Sequence, residues 1–339
     1  MPKWLICIPI AIQWSWLALR YASVTLPTAA NPRITSGGLV GEGKLEYFDT
    51  MGALARGATA RHVALRGGRG LADAALAATL ARAGLAFPLV AKPDLGLCGY
   101  GVCKLDSLAA LRDYAECYPD GETIVLQEYL SEENEAGIFY ARDPASGEGR
   151  VIGLALRYYP RVTGDGVSTL ERLIRNDGRA ARVLDTPAHA CGLELNAVPA
   201  AGQVVRLSTI GSTRVGGLYR DGGALVTPAL TAAIDAIARD MPEFHFGRFD
   251  VRFRSAQELA AGAGFAIMEV NGAGSEAIQA WDPDTGLLDG FRMIFAKQRL
   301  VFAIGAANRR RGFRPIGPLA LVRLNWRQNG LIERYPSSN

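Results

Sequence analysis

Short apolar runs recur along the chain and predict most of its strands. Each run is rich in β-branched or aromatic residues and is bounded by Gly or Pro, which is typical of strands. Strands are predicted at 87–92, 123–129, 137–142, 151–158, 249–253 and 265–270. Residues 203–218 are predicted to begin as a strand and to continue as a loop of Gly, Ser and Thr. The stretches between these runs carry helical patterns.

Those stretches predict helices at 44–56, 71–84, 108–117, 228–239 and 290–304, and an amphipathic helix after a turn at 163–166. Ser107 and Thr227 are suited to begin helices, and Gly84 is suited to end one. The connection 254–264 is short enough for a hairpin loop.

An apolar run from Trp4 to Leu19 precedes these elements. It is short for a bilayer span, which needs about 20 apolar residues. Three interpretations stay open: a helix buried against the protein, a helix lying at a membrane interface, and a cleaved signal or true span. Residues 25–44 predict a loop, whose glycines serve either as a plain linker or as a place where backbone approaches a ligand.

Composition narrows the possible functions. Hydrophobic content of 49% and charged content of 21% are typical of a globular protein. The net charge of +4, from 37 basic and 33 acidic residues, predicts no nucleic-acid partner. Five cysteines without zinc spacing favour reduced thiols in the cytoplasm. The cluster Arg309–Arg311 fits either a solvated surface or contact with anionic lipid or an acidic partner.

The candidate chemistry concentrates in the predicted hairpin around 246–275. Asp250 lies in its first strand, and Glu269 and Asn271 end its second strand on one face, since side chains alternate along a strand. Antiparallel pairing would bring Asp250 beside them, with Arg248 on the same face. Oxygen ligands without His or Cys suit a hard cation such as magnesium. The alternative is that these are ordinary polar residues at strand ends.

A second candidate region follows the strand 87–92. Lys92 ends that strand and precedes a loop, residues 94–101, whose glycines expose N–H groups suited to phosphates: Gly96, Gly99 and Gly101. The loop matches neither the Rossmann fingerprint nor a P-loop. Further along, Glu128 and Glu135 flank a crossover that could hold a purine and its ribose, or could be a solvated acidic loop.

The order of these motifs resembles the ATP-grasp superfamily, in particular its carboxylate–amine ligases. GRFDV and MEVNGAGS resemble the metal-site motifs of D-alanine–D-alanine ligases, and RVTGDGVSTLERLI with LST…GG resembles the ligase module of cyanophycin synthetase. The resemblance covers roughly residues 87–280. It implies an α+β ATP-grasp fold, in which two α/β lobes with antiparallel sheets clasp the nucleotide. The apolar N-terminal segment departs from the usual family pattern, and the D-alanine-binding motifs are not evident.

The resemblance also implies a domain organisation: an N-terminal region at 1–60, a small lobe at 61–130, a large lobe with the metal site at 131–300, and a basic extension at 301–339. It implies that Lys92 contacts ATP phosphates under the glycine loop, that Glu135 holds the ribose, and that Arg248 stabilises charge on the transferred phosphate. The remaining implied residues line the adenine (Gln127, Glu128, Tyr129, Leu130), bind two Mg²⁺ ions for which Mn²⁺ can substitute (Asp250, Glu269, Asn271), or contact substrate (Arg157, Arg161, Arg214, Ser275).

The function expected on this basis is an ATP-dependent ligase that joins a carboxylate to an amine through an acylphosphate. The alternatives are an ATP-grasp kinase and a membrane-associated nucleotide-binding protein without ligase activity. The expected partners are small carboxylates and amines and no nucleic acid, with room for a homodimer and for peripheral membrane contact through residues 1–24. The expected location is the cytoplasm, including the inner face of the membrane.

Overall fold

A computed structural model describes residues 3–185, 193–209 and 211–338, and side chains from residue 5 onward. The strands are β1 His62–Arg66, β2 Leu89–Pro93, β3 Cys103–Leu105, β4 Thr123–Glu128, β5 Asn134–Arg142, β6 Gly149–Tyr158, β7 Arg161–Thr163, β8 Val204–Arg206, β9 Leu218–Asp221, β10 Phe246–Phe253 and β11 Phe265–Asn271. The helices are α1 Lys3–Arg20, α2 Lys44–Phe48, α3 Ala53–Gly57, α4 Asp73–Ala83, α5 Leu108–Cys117, α6 Leu170–Asn176, α7 Pro228–Arg239, α8 Ala256–Ala260, α9 Leu287–Arg310 and α10 Pro318–Ile332.

The chain divides into two compact units. Unit one comprises Met1–Ala60, Glu132–Leu156 and Arg220–Gly330. Unit two comprises Arg61–Ser131, Arg157–Tyr219 and Leu331–Asn339. The fold is α+β with antiparallel strand pairing in both units.

Unit one is built around a five-stranded sheet with the order β11-β10-β5-β6-β9. Strand β10 pairs antiparallel with both β5 and β11, and all eight of its residues are buried. Its aromatic residues Phe246 and Phe249 are fully buried, and Phe246 packs in an apolar cluster with Val301 and Phe302 of α9. The hydrophobic effect therefore fixes β10 at the centre of the unit.

A bulge interrupts the pairing of β10 with β11. Asp250 lies opposite Glu269, whereas the next residue, Val251, lies opposite Ile267, so Met268 is an extra residue. The bulge allows Ile267 and Val270 to be buried while Glu269, between them in sequence, stays partly exposed. The hairpin thus presents one apolar and one polar face at the end of the sheet.

Helix α1 docks on α9 through one side only. Leu17 is buried, the ring of Trp14 meets that of Phe302 edge-on at 5.0 Å, and the amide of Gln13 donates to the carbonyl of Phe295. The opposite side leaves apolar residues exposed at helical spacing: Ile8, Ile12, Trp16 and Leu19. Among the described residues, no helix combines the length and hydrophobicity needed to cross a bilayer.

Asn31 joins the N-terminal loop to the start of β10. Its amide group donates to the carbonyls of Gly37 and Phe246 at 2.9 and 2.8 Å, and its oxygen accepts from the N–H groups of His245 and Phe246. The residue is fully buried, and buried polar groups need such partners. Asn31 therefore braces two segments that are more than 200 residues apart in sequence.

Unit two contains a four-stranded sheet with the order β1-β4-β2-β3. Its core combines Leu89 and Leu126 of the sheet with Leu80 of α4 and Leu111 of α5. A separate pair, β7 with β8, lies beside a small apolar cluster that includes Ile174 of α6.

The predicted helix boundaries agree well with the structure where a cap residue marked them. Ser107 and Thr227 accept hydrogen bonds from the N–H groups three residues later, and Gly84 ends α4 in the left-handed conformation. The prediction of a continuous helix over 44–56 is wrong. Asp240 accepts from the N–H of Ala55 and so begins α3 as a separate helix.

The strand predicted to begin the segment 203–218 is β8, which ends at Arg206 well before β9 begins at Leu218. Other predictions need correction. The connection between β10 and β11 contains α8, capped by Ser255. The runs that form β1 and α10 were not predicted as elements.

The basic cluster at the end of α9 is partly committed to internal contacts. The guanidinium of Arg311 donates to both carboxylate oxygens of Glu243, and Arg309 donates to the carbonyl of Tyr21. The free thiols in the described part of the chain include Cys7, Cys98, Cys103 and Cys117, whereas Cys191 lies outside the described residues.

Candidate functional site

The hairpin of β10 and β11 brings the predicted polar residues together in unit one. Arg248 pairs with Asn271, and Asp250 pairs with Glu269, in the antiparallel register. The guanidinium of Arg248 donates to both oxygens of Asp250 at 2.6 and 2.9 Å, and the amide of Asn271 donates to Asp250 at 3.2 Å. Directly paired residues share a face of the sheet, so all four side chains belong to one cluster.

A glycine on the neighbouring strand makes room for this cluster. Gly137 of β5 lies opposite Asp250. A methyl group at Gly137 would lie 2.9 Å from Cδ of Arg248, 3.1 Å from Cδ1 of Ile278 and 3.2 Å from Oδ1 of Asp250. The absence of a side chain there is therefore a condition for the buried Arg248–Asp250 pair.

The N-terminal segment adds charged groups that the sequence prediction missed. The ammonium group of Lys44, which begins α2, lies 3.3 Å from Oε1 of Glu269. Burial, together with the negative charges of Glu46 and Glu269, raises the pKa of Glu42 to about 7 against the lowering effects of a backbone hydrogen bond and of Lys44. In the sequence, the feature that could have indicated these residues is the charged segment GEGKLE within an otherwise glycine-rich loop.

The glycine-rich loop itself approaches protein backbone. The N–H groups of Ala273 and Gly274 donate to the carbonyls of Gly37 and Gly38 at 3.1 and 2.6 Å. A side chain at Gly38, whose φ is +74°, would come within 2.5 Å of the Cα of Gly272. These glycines let the loop pack directly on the turn that follows β11.

A second cation, Lys297 of α9, was also missed. Its ammonium group lies 5.9 Å from the ring centre of Phe246 and interacts electrostatically with Glu276 and Arg248. Burial, with the nearby Arg248, lowers the pKa of Lys297 to about 8. Only its position in an apolar helical stretch set it apart in the sequence.

In unit two, the structure brings Lys92 and Gln127 together. Both side chains are buried, and the ammonium group of Lys92 donates to Oε1 of Gln127 at 2.6 Å. The contact follows from the pairing of β2 with β4. A buried ammonium group is costly unless it has partners, so this arrangement fixes the lysine at the end of its strand.

The glycine loop after Lys92 is tied to the end of the chain. The hydroxyls of Tyr335 and Ser338 donate to the carbonyls of Leu95 and Gly99 at 2.6 and 2.8 Å. Gly99 and Gly101 both have positive φ, at 77° and 71°. Gly96 belongs to the same loop, which the sequence predicted to lie over phosphates, and two carbonyls of this loop accept hydrogen bonds from the end of the chain.

The other residues expected at the nucleotide have partners of their own. Glu128 pairs with Arg61 at 2.7 Å, and Tyr129 lies under the ammonium group of Lys104. Leu130 is half-buried. In unit one, the buried carboxylate of Glu135 lies 3.6 Å from the guanidinium of Arg252.

The four residues expected at the substrate are placed in different surroundings. In unit two, Arg157 and Arg214 lie over the rings of Tyr219 and Tyr100, and Arg161 is exposed. In unit one, Ser275 is buried and its hydroxyl has no hydrogen-bond partner among the described residues. Ser275 therefore belongs to the same unit as the hairpin cluster, and the three arginines belong to the other unit.

The hairpin fits a magnesium ion in donor chemistry. Asp250 and Glu269 supply carboxylates on neighbouring strands, Asn271 supplies an amide, and the Glu269 side chain remains 33% exposed. Within the described residues, no group of three or more His, Cys, Asp or Glu is arranged to hold a metal. Two carboxylates with an amide oxygen are nevertheless what Mg²⁺ takes when substrate phosphates and water complete its shell.

No protein-family model matches the sequence, and no curated protein matches it. Solved structures similar to this chain include a bifunctional glutathione synthetase from Pasteurella multocida, with 15% identity, TM-score 0.40, and coverage of 79% of this chain and 38% of that one. A second is the ADP complex of purK, an N5-carboxyaminoimidazole ribonucleotide synthetase, with 14% identity, TM-score 0.38, and coverage of 74% and 48%.

A third is the VanG D-Ala:D-Ser ligase from Enterococcus faecalis, with 11% identity, TM-score 0.43, and coverage of 80% of this chain and 64% of that one. The chain spans less than two thirds of the length of each of these three proteins.

Proposed function

We propose that this protein is an ATP-dependent ligase that joins a small carboxylate to an amine through an acylphosphate. The observation that carries the proposal is the register of the hairpin, which sets Asp250 opposite Glu269 and Asn271 opposite Arg248. The motif order that resembles ATP-grasp ligases supports the same reaction class.

In this proposal, Asp250, Glu269 and Asn271 hold magnesium, which supplies neutralisation of the phosphate charges when bound. Lys92 contacts the phosphates of ATP, and the backbone after Gln127 faces the adenine. These roles require Lys44 and Arg248 to share the carboxylates with a metal, since both cations now neutralise them.

Arg248 has the clearest role in stabilising charge. Its guanidinium is buried and its orientation is fixed by two hydrogen bonds to Asp250 and a longer one, 3.4 Å, to the carbonyl of Glu276. A preoriented cation of this kind stabilises negative charge that develops during phosphoryl and acyl transfer without having to reorganise. The proposed chemistry needs no protein nucleophile.

The test is an ADP-release screen with Mg²⁺, using amino acids and dipeptides singly and in pairs. Glu269→Gln and Asp250→Asn should each lower kcat/KM by about 100-fold or more, the size of effect that loss of one electrostatic contact can have. Glu269→Gln is the decisive variant because its side chain is partly exposed and its loss should leave the fold intact. Glu148→Gln, an exposed carboxylate, is the control. Near wild-type activity in both site variants would refute the assignment.

An ATP-grasp kinase is the rival activity. ADP release that needs both a carboxylate and an amine supports the ligase, whereas release with one substrate alone and a stable phosphorylated product supports the kinase.

The exposed apolar stripe of α1 supports peripheral membrane contact as an additional property. Trp16 is half exposed, and the Arg20 guanidinium lies 5.3 Å from its ring centre, an arrangement suited to the level of lipid headgroups. Flotation with anionic vesicles should recover the wild type and lose Ile12→Glu. Equal flotation of the two would refute the contact.

A further inference from the structure

Side chains of unit two hold the backbone carbonyls of the glycine loop at 95–101. The side-chain donors and the carbonyls that accept from them are Tyr335 with Leu95 at 2.6 Å, Arg214 with Cys98 at 3.2 Å, Ser338 with Gly99 at 2.8 Å and Tyr114 with Gly101 at 2.7 Å. A further carbonyl, that of Leu97, accepts from the N–H of Tyr100 within the loop. The protein itself therefore satisfies most of the acceptors of this loop.

This pattern of contacts orients the N–H groups of the loop. A trans peptide is planar, and its N–H points opposite to its C=O. The engaged carbonyls of Leu95 and Cys98 therefore direct the N–H groups of Gly96 and Gly99 away from the side chains that hold those carbonyls. Successive N–H groups in a turn form a concavity that suits an anion. The loop is thus arranged as a set of donors, with its acceptors already occupied.

The conformation of Cys98 shows that the surroundings fix the loop. Its φ is +49°, in the left-handed region, and the next residue, Gly99, has a φ of +77°. A residue with a side chain adopts this region unfavourably and stays there only where neighbouring groups hold it. Here the hydrogen bonds from Arg214 and Ser338 reach these two consecutive residues, and the guanidinium of Arg214 also lies 4.3 Å from the ring centre of Tyr100.

The segment 335–338, which follows α10, is itself anchored on unit two. The ring of Tyr335 stacks on that of Tyr118, with ring centres 5.2 Å apart and an angle of 16° between the planes, and packs against the core of the unit. The carbonyl of Ser337 accepts from the thiol of the buried Cys103 at 2.9 Å. A methyl group at Gly101 would lie 3.0 Å from Cβ of Tyr335, so the segment and the loop are in direct contact. Packing therefore fixes the hydroxyl groups that this segment presents to the loop.

We propose that Tyr335 and Ser338 are positioning residues for the phosphates of ATP. They hold the glycine loop with its carbonyls turned toward the protein and its N–H groups turned toward the ligand, so they act through the loop. This inference rests on the proposed function, since it takes ATP as the ligand of the loop. It gives the segment 335–338 a part in nucleotide binding that no sequence motif indicates, because the segment lies more than 200 residues away from the loop along the chain.

Nucleotide binding by the full chain tests the proposal without turnover. The double variant Tyr335→Phe, Ser338→Ala removes both hydroxyls and keeps the ring that stacks on Tyr118. In titration calorimetry its Kd for MgATP should exceed that of the wild type by about 10-fold, the effect of losing two ordinary hydrogen bonds. Ser337→Ala is the matched control, because this side chain is exposed and the residue contacts Cys103 through its backbone carbonyl. A double variant that binds MgATP as tightly as Ser337→Ala would overturn the proposal.

A comparison of ATP with AMP separates positioning of the loop from a general loss of structure. AMP lacks the two outer phosphates, so its binding depends less on the loop. The preference of the protein for ATP over AMP should therefore fall by about 10-fold in the double variant. In the active enzyme the same variant should raise KM for ATP and leave KM for the amine unchanged. An equal loss of affinity for both nucleotides would show that unit two as a whole is perturbed, and it would overturn the proposal.

The wild type decides whether the proposed function or only this inference has failed. Binding of MgATP by the wild type and the double variant alike overturns the positioning role and leaves the ligase proposal in place. A wild type that does not bind MgATP overturns both.

Discussion

Replacing Asn31 with Ala should destabilise unit one more than any substitution of an exposed polar residue. The change removes partners from two buried N–H groups, those of His245 and Phe246. It also frees the carbonyls of Gly37 and Phe246, but Gly37 keeps a hydrogen bond from Ala273. A buried group left unsatisfied costs about 1–3 kcal/mol, so the two N–H groups alone predict a loss of roughly 4 kcal/mol.

The assay is urea unfolding of the wild type and the variant, followed by far-UV circular dichroism. Total stabilities of proteins are about 5–15 kcal/mol, so the predicted loss should move the midpoint by more than about 1 M urea. Asn134→Ala is the matched control, because that exposed amide makes one hydrogen bond, to the carbonyl of Arg254. A loss below about 1 kcal/mol for Asn31→Ala, at an unchanged slope, would refute the idea that this residue holds the N-terminal loop on β10.

Three further predictions concern other contacts. Gly137→Ala should displace Arg248 from Asp250 and lower ligase activity by about 10-fold or more, because overpacking costs about 1–3 kcal/mol. Gly178→Ala, which has open space around it, is the control and should not lower the activity. Equal activities of the two variants would contradict this reasoning. Arg311 lowers the pKa of Glu243 to about 2, so the ionised Glu243 should stabilise the fold by about 1 kcal/mol above pH 4.5. The stability difference between the wild type and Glu243→Gln should therefore vanish as the pH falls to 2. A difference in urea midpoints that does not change with pH would disprove this. Deleting residues 333–339 should speed amide hydrogen exchange in the 95–101 loop by about 10-fold through loss of two hydrogen bonds, and unchanged exchange would show that the loop does not depend on them.

The sequence predicted the parts of the molecule that local chemistry controls. Ser107 marked the start of α5 because a hydroxyl at that position satisfies a helix N–H, and the alternation of side chains along a strand placed Glu269 and Asn271 on one face. The antiparallel partner of Glu269 could be inferred as Asp250 because the two strands follow each other closely in the chain.

The remaining parts depend on contacts between distant segments, which local patterns do not encode. Lys44 reaches Glu269 across more than 200 residues, and Lys297 comes from a helix whose docking is set by apolar packing. Neither residue stands in a recognisable motif. The prediction of one helix over 44–56 failed for the same reason, since Asp240, far away in sequence, begins the second helix.

The extra residue in β11 lets the hairpin keep an apolar and a charged side chain, two positions apart in sequence, on opposite faces. A regular strand that retained Met268 without the bulge would force a choice, because either Ile267 would turn outward or Glu269 would turn into the apolar interior. Removing Met268 alone would leave Ile267 opposite Val251 and Glu269 opposite Asp250. Distant relatives are therefore expected to tolerate a gap at Met268 more readily than anywhere else between Phe265 and Asn271.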